Sequence, residues 1–411
     1  MLSRLFASES LRSAAGFAAG GVGFAAGNIL LARVLPPDAF GIVALVLALN
    51  QFGVTFGPVG LEVVANRHRP RVDRQLATYA LVTALLTGVI AAFVARAYYG
   101  LSLTISWLLL VMILGSSTNR VCVALFQGEH RLRPAMALSQ VMNYVLLGAA
   151  LLGMALGWKG PEWVLACMVA GFLLSSGWGW RVAHASVNAT RRPLDRRLAL
   201  HEGLAALGVG VGVQMLMQFE RLAIPKVGTL PMLGLYAVLA AVAGSAFRMI
   251  EMGNAFTLLP RLRAVGDAAA ARAVIGRESL TAAVMSAGSA LGILLFAPLV
   301  FEYLLKNKFP YDRSLIIASI LVGCIKVWSG FATTVTTACG SRRMLVLVSV
   351  LTWISIGIAT AGAALGARFG LIGILYGVGV AWLLLASGAS FLAVRSFRLR
   401  FGTQRAAPGP A

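Results

Sequence analysis

Charge is scarce in this chain, and negative charge is scarcest. Asp, Glu, Lys and Arg make up 12% of its 411 residues, and only 14 residues are acidic. A soluble fold of this length carries far more charge, so the composition speaks against one. Long polar connections are missing too. No loop exceeds about 25 residues, which leaves no room for a separately folded domain on either side of the apolar segments. Cysteine is sparse: Cys122, Cys167, Cys324 and Cys339 show no CxxC or other ligand spacing and read as small buried residues. The four histidines, His68, His130, His184 and His201, stand beside arginine clusters and read as solvated loop residues. Nucleophile elbows, phosphate-cradling glycine loops and metal motifs are absent. This silence argues against a familiar soluble-type enzyme and leaves an integral-membrane one open. No cofactor is implied.

What the chain has in abundance is apolar length. It is 59% hydrophobic, with a mean hydropathy of +0.84. Segments of about 20 apolar residues, the length that crosses a bilayer as a helix, recur almost without a gap. The hydrophobic pattern predicts helices at 12–32, 41–65, 76–97, 104–126, 135–157, 163–183, 203–225, 233–257, 279–303, 314–337, 344–365 and 371–394. The expected fold class is therefore all-α integral membrane, with about 12 transmembrane helices. Gly57-Pro58 and Ala297-Pro298 mark expected kinks, because proline removes a backbone hydrogen bond.

The net charge of +21 would suggest nucleic acid in a soluble protein, but here its placement matters more. Of the 35 Lys and Arg, 24 fall in one alternating set of ends and loops and nine in the other. By the positive-inside rule both termini should be cytoplasmic, in a multi-pass protein of the cytoplasmic membrane. Nucleic acid is not an expected partner. The first apolar stretch is too long for a cleaved signal peptide, and its Gly16, Gly20, Gly23 and Gly27 suit close helix packing.

Polar residues inside the apolar segments are few enough to name. Gln214, Gln218 and Arg221 follow i, i+4, i+7 spacing and so share one helix face. Arg248 and Glu251 are three apart, Lys326 sits mid-helix, and Asn50 and Gln51 lie mid-way along the second helix. A charge at such depth costs at least ~2.5–3.5 kcal/mol on insertion scales, so it marks either a functional site or an internal ion pair. Cations at this depth suit an anion. Arg221, Arg248 and Lys326, with Gln214, Gln218 and Asn50, are the expected substrate-binding set, and Glu251 and Glu62 the expected ion-coupling carboxylates. Snorkelling of Arg221 and Arg33 to lipid phosphates, an Arg248–Glu251 pair and interhelical bonds of the glutamines are equally compatible with the spacing.

An internal repeat with an offset of 193 residues adds a more specific signal. Arg33 and Gly41 recur as Lys226 and Gly234, and Gly60 recurs as Gly253. At these residues the chain resembles the multidrug/oligosaccharidyl-lipid/polysaccharide (MOP) exporter superfamily, and within it the bacterial polysaccharide flippases. The turn Ala32-Arg33-Val34-Leu35-Pro36-Pro37-Asp38-Ala39-Phe40-Gly41 is similar to that family's A-R-x-L-x-P-x-x-F-G turn. Phe219-Glu220-Arg221 with Leu233-Gly234-Leu235-Tyr236 is similar to its D-R and G-x-Y pattern, with Glu220 in place of the usual Asp.

The resemblance implies two six-helix lobes, 1–185 and 203–394, joined by a basic linker at 186–202, with Arg33, Pro37, Phe40, Gly41, Gly234 and Tyr236 as structural residues of the family turns; by composition 395–411 reads as a short disordered basic tail on the cytoplasmic side. The resemblance further implies alternating-access movement of an undecaprenyl-pyrophosphate-linked oligosaccharide through an inter-lobe cavity, beside membrane lipids and a partner polysaccharide polymerase. A multidrug or cation antiporter on the same fold remains an alternative. So, more distantly, does a membrane-embedded glycan polymerase or glycosyltransferase.

Overall fold

The computed structural model describes residues 9–185 and 193–402, so the linker stretch 186–192 and the expected tail from 403 on lie outside the described residues, while the first part of that tail, 395–402, is helical. Among the described residues the chain is helical and has no strand. The helices are α1 (Glu9–Val34), α2 (Pro37–Phe56), α3 (Leu61–His68), α4 (Arg74–Ala97), α5 (Leu103–Gly128), α6 (Leu132–Ser139), α7 (Val141–Leu156) and α8 (Pro161–Ala185). There follow α9 (Arg196–Met217), α10 (Phe219–Val227), α11 (Leu230–Leu239), α12 (Ser245–Ala264), α13 (Ala268–Leu299), α14 (Arg313–Cys339), α15 (Arg342–Gly366) and α16 (Gly370–Gly402). Short π-helical turns, Ala240–Gly244 and Val300–Leu304, join α11 to α12 and extend α13.

Among the described residues eight helical segments are long and apolar enough to cross a membrane, and nine if α6 and α7, bent by 44° at their junction, count as one. Several apolar stretches that read as continuous in sequence are broken. The predicted helix 41–65 stops at Phe56, and Val59 and Gly60 take left-handed backbone angles before α3 begins. The expected kink at Gly57-Pro58 is thus a full interruption. Helix 203–225 is likewise interrupted at Gln218 and starts earlier, at Arg196, so the expected linker is helical over its last residues.

Scarce acidic side chains sit where helix ends need them. Asp73 accepts from the Leu76 amide at 2.9 Å, Asp267 from Ala269 and Ala270, and Asp312 from Ser314 at 2.7 Å. Each caps a helix start whose amides have no partner within the helix.

By its contacts the chain divides into two compact units, Met1–Val238 and Leu239–Ala411. In the first, small residues bring helices together, as expected where hydrocarbon outside removes the hydrophobic drive to associate. A Cβ on Gly27 would press on the Leu147 backbone, one on Gly115 on Phe172 and Leu173, and one on Gly53 on Ile113. The Thr118 and Ser176 hydroxyls bond across α5 and α8 at 2.8 Å. Helices α2 and α5 are mostly enclosed, whereas α4 turns Leu81, Leu85, Leu86, Ile90 and Phe93 outward as a lipid-suited face. In the second unit α14 and α15 both pack on α16. Gly362 and Gly366 of α15 let their backbone touch that of Gly377 and Gly373, and Trp328 Nε1 donates to Ser390 Oγ at 2.9 Å.

The repeat is visible in the element boundaries. α1 ends at Val34 and α10 at Val227; α2 starts at Pro37 and α11 at Leu230. Both pairs are 193 residues apart. The correspondence lapses further on, where Gly60 lies in the helix break and its counterpart Gly253 lies inside the unbroken α12.

Candidate functional site

Among the described residues, a group of charges within apolar helices lies in the second unit, on α12 and α14. Phe247 and Glu251, one turn apart on α12, rest against Gly323 and Gly330, two turns apart on α14. A Cβ on Gly330 would stand 2.7 Å from Glu251 Cγ and 2.9 Å from its Oε1, so only glycine leaves the carboxylate its place. Lys326 falls between those two glycines in the helical repeat and shares their face. Its ammonium lies 5.0 Å from the centre of the Trp382 ring of α16, a cation–π distance.

Arg248 is exposed, while Glu251 and Lys326 are partly buried. The charges of both Arg248 and Lys326 act on the Glu251 carboxylate. Lys326 thus joins the Arg248–Glu251 pair of α12 in one cluster of two basic residues and one acidic residue. Donors predominate around it. Asn254, one turn beyond Glu251, is buried and its Nδ2 has no hydrogen-bond partner among the described residues; the same holds for Nε1 of buried Trp382. Sequence spacing gave no sign of either.

In the first unit the expected residues are more dispersed. Arg221 Nη1 donates to Gln218 Oε1 at 3.4 Å, so these two do meet, although the helix breaks between Gln214 and Arg221. Gln218 is buried and Gln214 only partly so. Asn50 departs from expectation. It is completely enclosed and accepts a hydrogen bond from Ser116 Oγ at 2.9 Å, tying α2 to α5 instead of facing open space. The reason is packing: α2 is buried on nearly every side, so a mid-helix amide has no free face to occupy.

Glu62 lies on short α3, outside the span-length helices, 3.7 Å from Arg120 Nε. Burial pushes its carboxyl above the usual carboxylate range, and Arg120 pulls partly in the opposite direction.

The residues of the two family turns are structural in the plain sense. Pro37 opens α2, and Phe40 is fully buried. Gly41 and Gly234 meet, with Tyr236 partly buried two residues on. Arg33 lies in the last turn of α1 and is partly buried. Its repeat partner Lys226 donates to the Tyr98 carbonyl and stands 3.7 Å from the Tyr98 ring centre. Beside it Tyr99 donates to the Leu222 carbonyl at 3.1 Å, its hydroxyl pKa raised by burial and further by Tyr98.

His68 is exposed, as its place beside the arginines suggested, but it is also paired. Its Nε2 lies 3.0 Å from Glu202 Oε2, which also pairs with Arg67 at 3.5 Å. Close by, Gly203 touches the backbone at Val59 and Gly60. His130 and His184 also have partners, Arg69 and the Val72 carbonyl. Residues 134 apart carry no sequence signal of such pairing.

Residues 16–192 match a family model described as polysaccharide biosynthesis protein. No curated protein sequence matches the chain. Among solved structures, an inward-facing multidrug resistance MATE family transporter of the MOP superfamily is 15% identical, with 95% of this chain and 96% of that one covered at a TM-score of 0.65. The lipid II flippase MurJ, in an inward closed conformation, is 10% identical over 98% and 94% of the two chains, TM-score 0.63. The eukaryotic MATE transporter AtDTX14 is 14% identical over 95% and 99%, TM-score 0.60. Transporters and a flippase, and no enzyme, stand among these. The chain shares the fold of these solved transporters, and its residues 16–192 match the model of the polysaccharide biosynthesis family.

Proposed function

We propose that this protein is a flippase that moves a polyprenyl-diphosphate-linked oligosaccharide, the repeat unit of a surface polysaccharide, across the cytoplasmic membrane by alternating access. The observation that carries the reading is the excess of cation in the α12–α14 cluster, where Arg248 and Lys326 together face the single carboxylate of Glu251. A glycan carried on a diphosphate has the charge to match. Its polar groups would each cost several kcal/mol in hydrocarbon, and a polar path through protein removes most of that cost. Arg221, with Gln218 beside it and Gln214 one turn before, is assigned to the same anionic substrate on the first unit.

The membrane arrangement belongs to the same proposal: twelve spans in two repeat-related halves, with both termini on the cytoplasmic side, where the arginine excess accumulates. An inside-negative potential favours outward movement of negative charge by about 2.3 kcal/mol per charge per 100 mV, which supplies a drive for a diphosphate lipid. Glu62 and Glu251 remain the carboxylates assigned to any coupled ion.

The test is mass spectrometry of lipid extracts from a strain lacking the gene, complemented with wild type or with Arg248→Ala. Accumulation of a lipid-linked oligosaccharide that only the wild-type gene relieves is the expected result. Intact surface glycan without accumulation, together with altered drug sensitivity, would replace this reading with that of a multidrug exporter.

A further inference from the structure

Resting on that reading, we infer that Glu251 is a built-in counter-ion: it occupies the anion site formed by Arg248 and Lys326 when no substrate is bound, and the substrate's phosphate groups displace it. The two cations are thus kept compensated within apolar helices, and the competition sets how tightly the head group is held.

Three observations on the second unit point this way. The carboxylate has a fixed seat. Glu251 lies directly against Gly330, so close that a Cβ there would make the Glu251 side chain shift. Both cations are placed beside it: Arg248 three residues before it on α12, and Lys326 on the face of α14 whose Gly330 the carboxylate touches. The surroundings have donors to spare: buried Asn254 Nδ2 and Trp382 Nε1 lack acceptors among the described residues, and Trp382 is the residue whose ring receives the Lys326 ammonium. One carboxylate offers two oxygens to this set. A diphosphate offers more acceptor oxygens and more charge than one carboxylate, and it suits a guanidinium that binds phosphate through paired donors.

Exchange of one anion for another also avoids leaving bare cations in the membrane at any stage of the cycle, the state that costs most. When the head group departs, Glu251 returns to its seat. On this account the carboxylate speeds release by competing with the product.

The experiment uses the purified full-length protein in nanodiscs, with inorganic pyrophosphate as the probe and binding read by native mass spectrometry or thermophoresis. Glu251→Gln preserves shape and removes the competing charge. It is expected to bind pyrophosphate about tenfold more tightly than wild type, while export of the lipid-linked glycan in cells falls. Arg248→Gln and Lys326→Gln in the Glu251→Gln background should each reverse the gain. Gly330→Ala, which takes the seat of the carboxylate, should tighten binding in the same direction in the wild-type background and have no effect in the Glu251→Gln background, a dependence that a merely structural role would not produce.

Equal or weaker binding by Glu251→Gln overturns the inference, and so does the absence of pyrophosphate binding by every variant. If Glu251→Gln fails to fold, Gly330→Ala alone decides: unchanged or weaker binding overturns the inference. The flippase reading fails on a different result, a deletion strain that accumulates no lipid-linked oligosaccharide, so the two failures are told apart.

Discussion

Gly41 and Gly234, residues 193 apart, press their helices together reciprocally. A Cβ on Gly41 would collide with the Leu230 carbonyl oxygen, and one on Gly234 with that of Pro37. Pro37 and Leu230 are themselves 193 apart, so the contact is nearly self-symmetric: each repeat's first helical residue meets the other's glycine. The same turn that carries the family resemblance is where the repeats touch, and its glycines are required by backbone approach.

Gly41→Ala therefore forces backbone against side chain. Overpacking of this kind costs about 1–3 kcal/mol, and the variant should show a lower melting temperature and lower folded yield in detergent. Gly148→Ala is the internal control, since a Cβ there meets nothing within 4 Å. It should be neutral or stabilising by up to about 1 kcal/mol, as alanine favours a helix over glycine. Equal effects at the two positions would deny Gly41 its special role.

Asn50→Ala tests whether that amide is a packing residue. Its loss leaves the Ser116 hydroxyl without its cross-helix acceptor and is expected to cost about 1–2 kcal/mol of stability. Transport per folded molecule should be unchanged. A loss of transport without a loss of stability would restore Asn50 to the substrate path.

Val59 holds a left-handed backbone at φ 48°, which a β-branched side chain disfavours. Val59→Gly relieves about 1 kcal/mol of that strain. The expected outcome is a higher melting temperature, read by a thermal scan of the purified protein. An unchanged or lower value would show that the side chain's packing outweighs the strain.

Lys226 and Tyr98 join α10 to the end of α4 through the ring and the carbonyl of the tyrosine. Removal of the cation by Lys226→Met and of the aromatic face by Tyr98→Leu should each destabilise by about 0.5–1 kcal/mol. In the double variant the effects should fall short of their sum, since the carbonyl bond alone survives Tyr98→Leu. Strict additivity would mean that the ring contributes nothing to holding the lysine.

How much of this was legible in advance follows from the kind of signal each feature leaves. Segment length and hydropathy mark an apolar helix whatever it packs against, so the all-helical membrane class, most helix boundaries and the 193-residue repeat were readable directly. Spacing along one helix also placed Arg248 and Glu251 on a common face. The break after Phe56 was only half legible: Gly57-Pro58 announced a disturbance, but the left-handed turn at Val59 and Gly60 follows from the backbone of Gly203 lying against it.

What only the tertiary structure decided is which helices face one another. Inside a membrane the apolar surface of a helix suits lipid and protein alike, so periodicity does not say which side meets a neighbour. That is why Asn50 turned out to be enclosed, why His68 found Glu202, and why Lys326 joined Arg248 and Glu251 across two helices. The sequence by itself determined the all-helical class, since long apolar stretches with few charges suit membrane helices. The packing of α12 on α14, a property of three-dimensional structure, decided that Glu251 and Lys326 came together, with Gly330 leaving room for the carboxylate.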